Sequence, residues 1–205
     1  MSSASKARAA QAKYFNVPNQ ITAVRFVLSI VVFLLIPAQQ YFPALLVFLV
    51  AASTDWVDGW WARRYNQVTK VGRIFDPFVD KIIICGTFIY LAAQEHLGSG
   101  IAAWMAVVVM GREMLVTVIR SLVEQSGGDF SAKFAGKWKM VFQCAAVVAS
   151  LLQLMWAADA APQWLPAVAP VWLPYTLATL VWIAIGLTIY SGVEYIIAGL
   201  RYSPD

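Results

Sequence analysis

Six long apolar stretches account for most of this 205-residue chain. They cover residues 19–36, 43–62, 76–94, 100–123, 136–156 and 173–199. Each stretch is close to the roughly 20 apolar residues that an α-helix needs to cross a bilayer. Hydrophobic residues make up 60% of the chain and charged residues 13%, which is outside the usual composition of a water-soluble globular domain. The sequence therefore predicts an all-α integral membrane protein with six transmembrane helices.

The first 18 residues form a separate juxtamembrane segment ahead of a single membrane domain over residues 19–205. The start, MSSASKARAAQAKYF, is polar and rich in alanine, and it lacks the apolar core of a cleaved signal peptide. Two interpretations of this segment are open. It forms either an amphipathic helix on the membrane surface or a frayed polar tail.

Lysine and arginine are unevenly distributed between the two sides of the predicted bundle. If the helices alternate in direction, the connections at 36–43, 94–100 and 157–172 share one side, and they contain no Lys or Arg. The positive-inside rule then places both termini and the basic connections in the cytoplasm of a cell whose inner membrane holds the protein. The net charge of +4 belongs to a membrane face that favours anionic headgroups and phosphorylated substrates, and it does not indicate a nucleic-acid partner.

Four aspartates lie in or beside the second and third apolar stretches, where charged side chains usually mark function. Asp55 and Asp58 share one face of a helix that turns about 100° per residue. Asp76 and Asp80 are one turn apart on the next helix. Two helices thus offer two acids each to a common space on the cytoplasmic side.

Four carboxylates in one space would repel one another unless cations compensated their charge. Mg²⁺ is typically bound by carboxylates together with phosphate oxygens of a substrate. Two such ions about 3.5 to 4 Å apart can hold a phosphate during an in-line displacement. We therefore expect two divalent cations, Mg²⁺ or Mn²⁺, beside small residues that leave room for a bulky ligand such as a nucleotide.

These residues form the pattern D-x2-D-G-x2-A-R-x8-G-x3-D-x3-D, which resembles the signature of the CDP-alcohol phosphotransferases. Its fixed positions are Asp55, Asp58, Gly59, Ala62, Arg63, Gly72, Asp76 and Asp80. The resemblance implies the fold of that family, a six-helix membrane enzyme that is usually a homodimer. Such an enzyme moves a substituted phosphate from a CDP-linked lipid to an alcohol and releases CMP.

The same resemblance implies a role for each motif residue. Asp55, Asp58 and Asp76 would be metal ligands, and Asp80 would be both a ligand and the general base that removes the proton of the acceptor hydroxyl. The CDP-lipid site would contain the first three acids and four further residues. These are Gly59, Ala62, Arg63 and Gly72.

Three further stretches concern the acceptor, and they resemble the phosphatidylglycerophosphate synthase branch of this family. The pattern P-N-x-x-T-x-x-R is formed by Pro18, Asn19, Thr22 and Arg25, G-R-E by Gly111, Arg112 and Glu113, and G-K-x-K by Gly136, Lys137 and Lys139. Met140 stands where that branch usually has Thr. The resemblance implies CDP-diacylglycerol as donor and sn-glycerol 3-phosphate as acceptor. It also implies a protein in contact with membrane lipids. The acceptor phosphate would be held by Arg112, Arg120, Lys137 and Lys139.

Several alternatives remain open at this point. Arg112 and Glu113 also suit a purely structural ion pair, and Lys137 and Lys139 suit lysines that snorkel to the membrane interface. Among functions, a cardiolipin synthase of the same family would use phosphatidylglycerol as acceptor. A cation transporter would also keep carboxylates within its helices. A catalytically inactive scaffold is the third alternative, although the complete set of four acids argues against it.

Overall fold

The computed structural model describes residues 17–65, 70–125 and 134–201, and within them the side chains of residues 20–54, 75, 77–123, 136 and 138–200. These ranges form six α-helices and no β-strand. The helices are α1 (Val17–Leu35), α2 (Tyr41–Tyr65), α3 (Lys70–Ala92), α4 (Ala103–Gln125), α5 (Phe134–Ala157) and α6 (Trp172–Arg201). Each coincides with one predicted apolar stretch, which confirms the all-helical class and the six helices. Residues 1–16 of the proposed juxtamembrane segment lie outside the described residues.

The largest boundary difference is at the start of α3. Apolarity predicts a start near residue 76, whereas the helix begins at Lys70. The reason is that backbone hydrogen bonding extends a helix into polar sequence, which a search for apolar residues does not detect. Gly72, Asp76 and Asp80 consequently lie on one continuous helix.

The three connections that lack lysine and arginine meet at one end of the bundle. Tyr41 Oη, at the start of α2, donates a hydrogen bond to Gln94 Oε1, just after α3, over 3.4 Å. The ring of Trp164, in the connection between α5 and α6, packs edge-on against Phe42 with centroids 5.9 Å apart. The helices therefore alternate in direction, as the charge argument assumed. We call this end of the bundle the outer end and the opposite end the inner end.

The apolar core and the buried charged side chains occupy different halves of the bundle. The fully buried large apolar side chains lie toward the outer end, for example Phe48, Phe88, Leu91, Ile101, Leu151 and Ile185. The buried charged side chains lie toward the inner end, together with part of the buried polar ones; they include Arg25, Glu113, Lys139, Gln143, Thr188 and Ser191. The outer half thus supplies the packing, and the inner half contains the groups that can do chemistry.

Helix α1 packs along both α2 and α3, the two helices that carry the motif acids. Its contact with α3 is close because Gly86 has no side chain. A Cβ atom at Gly86 would lie 2.2 Å from Phe33 Cζ. The Phe33 ring is itself stacked on Tyr90, with centroids 5.2 Å apart. Small residues allow such close backbone approach between helices in membranes.

The outward surface of the bundle is apolar on all six helices. Large hydrophobic side chains are exposed on each of them, among them Leu34, Val50, Ile89, Val107, Val141 and Leu200. Within the described residues, two segments qualify as membrane spans by length and composition, Trp138–Ala157 and Trp172–Leu200. Gln20–Leu35 and Tyr41–Thr54 are shorter apolar helical segments. The other four spans stay predictions.

Candidate active site

The eight residues of the aspartate motif lie on α2 and α3. Residues 55–63 occupy the second half of α2, and Gly72, Asp76 and Asp80 follow along the first half of α3. Asp80 is the motif residue whose side chain is described. The side chains of the other seven lie outside the described set. Their convergence on a shared pair of ions therefore stays a prediction.

Asp80 forms an ion pair with Arg25 of α1. Arg25 Nη1 donates a hydrogen bond to Asp80 Oδ1. Arg25 Nε also points at Thr54 Oγ1, at 3.4 Å, in the residue that directly precedes Asp55. The Arg25 side chain is 2% exposed and that of Asp80 is 27% exposed. Arg25 thus links α2 to α3, while Asp80 stays accessible to a ligand.

The donor chemistry of this region fits a divalent metal. Carboxylate oxygens are the hard ligands that Mg²⁺ prefers, and both acid-bearing helices pack against the same helix, α1. Within the described side chains, no three His, Cys, Asp or Glu residues form a group. That set contains Asp80 and lacks the other three motif acids. Asp55, Asp58, Asp76 and Asp80 are the residues that would hold the ions.

A second charged group joins α4 to α5. Glu113 Oε1 accepts hydrogen bonds from Arg112 Nη1, at 3.1 Å, and from Lys139 Nζ. All three side chains are largely buried. The Arg112–Glu113 pair of the structural alternative therefore exists, but it includes a second cation. The snorkelling alternative is wrong for Lys139, because its ammonium is buried against Glu113; the Lys137 side chain lies outside the described set.

Lys81 is a charged residue that the sequence analysis missed. It directly follows Asp80 on α3, and its ammonium interacts electrostatically with Glu113, Asp80 and Arg120. Arg120 Nε is buried without a hydrogen-bond partner in the described part of the chain. The signal available in the sequence was a lysine within an apolar helix. An ammonium group is energetically unfavourable there, so such a residue usually marks a functional site.

We use the term cationic cluster for the four basic residues around Glu113. They are Lys81, Arg112, Arg120 and Lys139. The four positive charges interact with two carboxylates, Glu113 and Asp80, which leaves an excess that suits an anion. The cluster adjoins Asp80 through Lys81. The structure therefore brings Arg112 and Lys139 together at Glu113, and Lys81 interacts electrostatically with Glu113, Arg120 and the predicted base Asp80.

Comparison with known proteins gives a consistent result. A family model for CDP-alcohol phosphatidyltransferase matches residues 15–190 of this chain. The CDP-diacylglycerol–glycerol-3-phosphate 3-phosphatidyltransferase of Bacillus subtilis (strain 168) is 32% identical over 197 residues, which cover 88% of this chain and 93% of that protein. The protein of the same name from Escherichia coli (strain K12) is 30% identical over 187 residues, which cover 90% and 94%. The chain therefore belongs to the CDP-alcohol phosphatidyltransferase family.

Proposed function

We propose that this enzyme transfers the phosphatidyl group of CDP-diacylglycerol to sn-glycerol 3-phosphate, giving phosphatidylglycerophosphate and CMP in phospholipid biosynthesis. The relatives from Bacillus subtilis and Escherichia coli bear the name of that reaction and align over most of the chain. Family membership disfavours the cation transporter, since the family is one of phosphatidyltransferases. The choice within the family depends on the acceptor.

The cationic cluster is the observation that favours glycerol 3-phosphate. A phosphate monoester carries a charge of about −1.5 to −2 at pH 7, whereas the phosphodiester of phosphatidylglycerol carries a single charge. Cations that are shielded from water and outnumber their carboxylates favour the more highly charged ligand, because the added negative charge compensates the excess positive charge. Lys81, Arg112, Arg120 and Lys139 supply that excess beside Asp80.

The proposed chemistry assigns the proton transfer to Asp80. The acceptor hydroxyl oxygen forms a bond to the lipid-side phosphorus of the donor, the bond from that phosphorus to the oxygen of CMP breaks, and Asp80 takes the hydroxyl proton. A base must lie within hydrogen-bond reach of that proton. Arg25 holds Asp80 through one oxygen and leaves the carboxylate partly exposed for this contact. Two bound Mg²⁺ ions would stabilise the charge on the phosphate oxygens and on the departing CMP.

The cellular setting is part of the same proposal. Six helices would span the inner membrane with the inner end of the bundle in the cytoplasm, where water-soluble glycerol 3-phosphate and CMP can enter and leave. The exposed apolar side chains on all six helices support contact with lipid. We further propose a homodimer, as is usual in the family that the motif resembles.

An acceptor assay tests the proposal directly. Detergent-purified protein with CDP-diacylglycerol and Mg²⁺ should form a radiolabelled lipid from labelled glycerol 3-phosphate and release CMP in equal amount. Parallel reactions with phosphatidylglycerol should give background product, and chelation of the metal should stop both CMP release and lipid formation. Product from phosphatidylglycerol alone would identify a cardiolipin synthase instead, and ion flux without CMP release would identify a transporter.

Substitution of the basic residues should affect the acceptor more than the donor. Loss of a hydrogen bond to a charged group costs about 1.5 to 3 kcal/mol, which corresponds to roughly a 10- to 100-fold rise in KM. Arg112→Ala or Lys137→Ala should therefore raise the KM for glycerol 3-phosphate by that factor and leave the KM for CDP-diacylglycerol within about twofold. His96→Ala, at an exposed position of the outer end, serves as a control. Equal effects on both KM values would indicate that these bases are structural.

A further inference from the structure

Three residues of helix α6 contact the Arg112 side chain. Arg112 Nε donates a hydrogen bond to Ser191 Oγ over 3.1 Å, and Arg112 Cζ lies 5.5 Å from the centroid of the Tyr195 ring. A Cβ atom at Gly192 would approach Arg112 Cγ to 3.3 Å, so the glycine provides room for the arginine stem. We call Ser191, Gly192 and Tyr195 the α6 contact surface.

Two of the three guanidinium nitrogens of Arg112 donate hydrogen bonds to other side chains. Ser191 accepts from Nε, and Glu113 accepts from Nη1. Within the part of the chain that the structure describes, Arg112 Nη2 donates no hydrogen bond to the protein. It is also not one of the fully buried polar atoms that lack a partner. A Cβ atom added at Gly136 would lie 3.9 Å from Nη2. Nη2 thus lies close to the glycine that opens the G-K-x-K motif of α5.

This arrangement differs from the usual contact between arginine and a carboxylate. An isolated Arg–Glu pair tends to form two parallel hydrogen bonds, which would use both terminal nitrogens. Here Glu113 receives one hydrogen bond from Arg112, and the Lys139 ammonium binds the same Oε1 atom. The Ser191 hydroxyl and the Tyr195 ring hold the guanidinium in an orientation that keeps Nη2 away from Glu113. Both α6 residues are buried, so they have little freedom to release it.

We propose that the α6 contact surface is a positioning element for the acceptor. It fixes Arg112 so that Nη2 donates to a phosphate oxygen of the acceptor in the space beside Gly136. Ser191 and Tyr195 act through Arg112 and do not contact the substrate. This inference rests on the proposed function, because it concerns the same acceptor phosphate. It assigns a role to α6, the one helix to which the sequence motifs gave none.

Two variants of α6 test the proposal through a split between the two substrates. Ser191→Ala removes the hydroxyl at almost constant volume, and Tyr195→Leu removes the ring. Each should raise the KM for glycerol 3-phosphate about 3- to 10-fold, the range that cation–π and hydrogen-bond contacts of this kind supply. The KM for CDP-diacylglycerol should stay within about twofold. Tyr195→Phe keeps the ring and should stay within about threefold of the parent protein for both substrates.

The control is Tyr190→Leu, a ring deletion at an exposed position of the same helix. It should leave both KM values unchanged. Calorimetric titration of the purified proteins with glycerol 3-phosphate should reproduce the loss of affinity in Ser191→Ala without turnover. Unchanged acceptor KM in Ser191→Ala and Tyr195→Leu, or an equal rise in both KM values, would overturn the inference. Failure of the parent protein itself to use glycerol 3-phosphate would overturn the proposed function as well.

Discussion

Asp80→Asn is expected to reduce CMP release to background, a loss of about 100- to 10,000-fold, which is the contribution of a positioned general base. The amide cannot take the proton of the acceptor hydroxyl. Its oxygen can still accept the hydrogen bond from Arg25 Nη1, so the link between α1 and α3 should persist. Binding of CDP-diacylglycerol should be mostly retained, because Asp55, Asp58 and Asp76 remain as proposed ligands. CMP release and equilibrium binding of the donor lipid measure the two effects separately.

Asp159→Asn is the matched control for this variant. Asp159 is an exposed acid in the connection at the outer end, and its backbone has a positive φ of 50° that Asn tolerates. The control should keep parent activity. Near-normal turnover in Asp80→Asn would remove Asp80 from the role of base and would leave it as a metal ligand at most.

The second large effect is expected at Arg25. Arg25→Ala removes the cation that faces Asp80 and breaks the contact with Thr54 of α2. Removal of one partner from a fully buried ion pair costs about 3 to 5 kcal/mol, and the 27% exposure of Asp80 should reduce this to roughly 2 kcal/mol. We expect a lower Tm and at least a tenfold loss of turnover with saturating acceptor. Thermal unfolding in detergent and steady-state kinetics check the two parts.

Arg25→Lys distinguishes charge from shape. Lysine retains the positive charge, but its single ammonium cannot reach Thr54 and Asp80 in the way a planar guanidinium does. Its activity should fall between those of the parent and Arg25→Ala. In a double-mutant cycle on Tm, Arg25→Ala with Asp80→Asn should lower Tm by less than the sum of the two single losses, because both substitutions act on one shared contact. Full additivity of the two losses would show that Arg25 does not act through Asp80.

Most of the fold could be predicted from the sequence, because the length of an apolar stretch indicates whether it can form a helix that crosses a membrane. All six helices coincide with predicted stretches, and the uneven distribution of basic residues anticipated the alternation that the contacts of Tyr41 and Trp164 show. The start of α3 was misplaced by six residues, since Lys70 to Phe75 is polar enough to interrupt an apolar pattern without interrupting the helix.

The candidate site could be predicted as a set of residues, but its pairings could not. The motifs named Arg25 separately from Asp80, and Lys139 separately from Glu113, whereas an Arg112–Glu113 pair was an open alternative. That Arg25 pairs with Asp80, and that Glu113 accepts from two cations, depends on how α1, α3, α4 and α5 are packed. Contacts between residues 55 positions apart in sequence leave no periodic signal. The role of Lys81 was missed for the same reason, because two of its partners, Glu113 and Arg120, lie on α4.

The placement of α1 between α2 and α3 has a consequence for biogenesis. During synthesis α1 leaves the ribosome before either helix that carries an aspartate, and it can enter the bilayer first. The two later helices then dock on a surface that already presents the Arg25 guanidinium, so Asp80 arrives next to a counter-charge that is already in place. A chain that lacked this first helix would have to insert four acids with no such template, and it should be a substrate for membrane quality control.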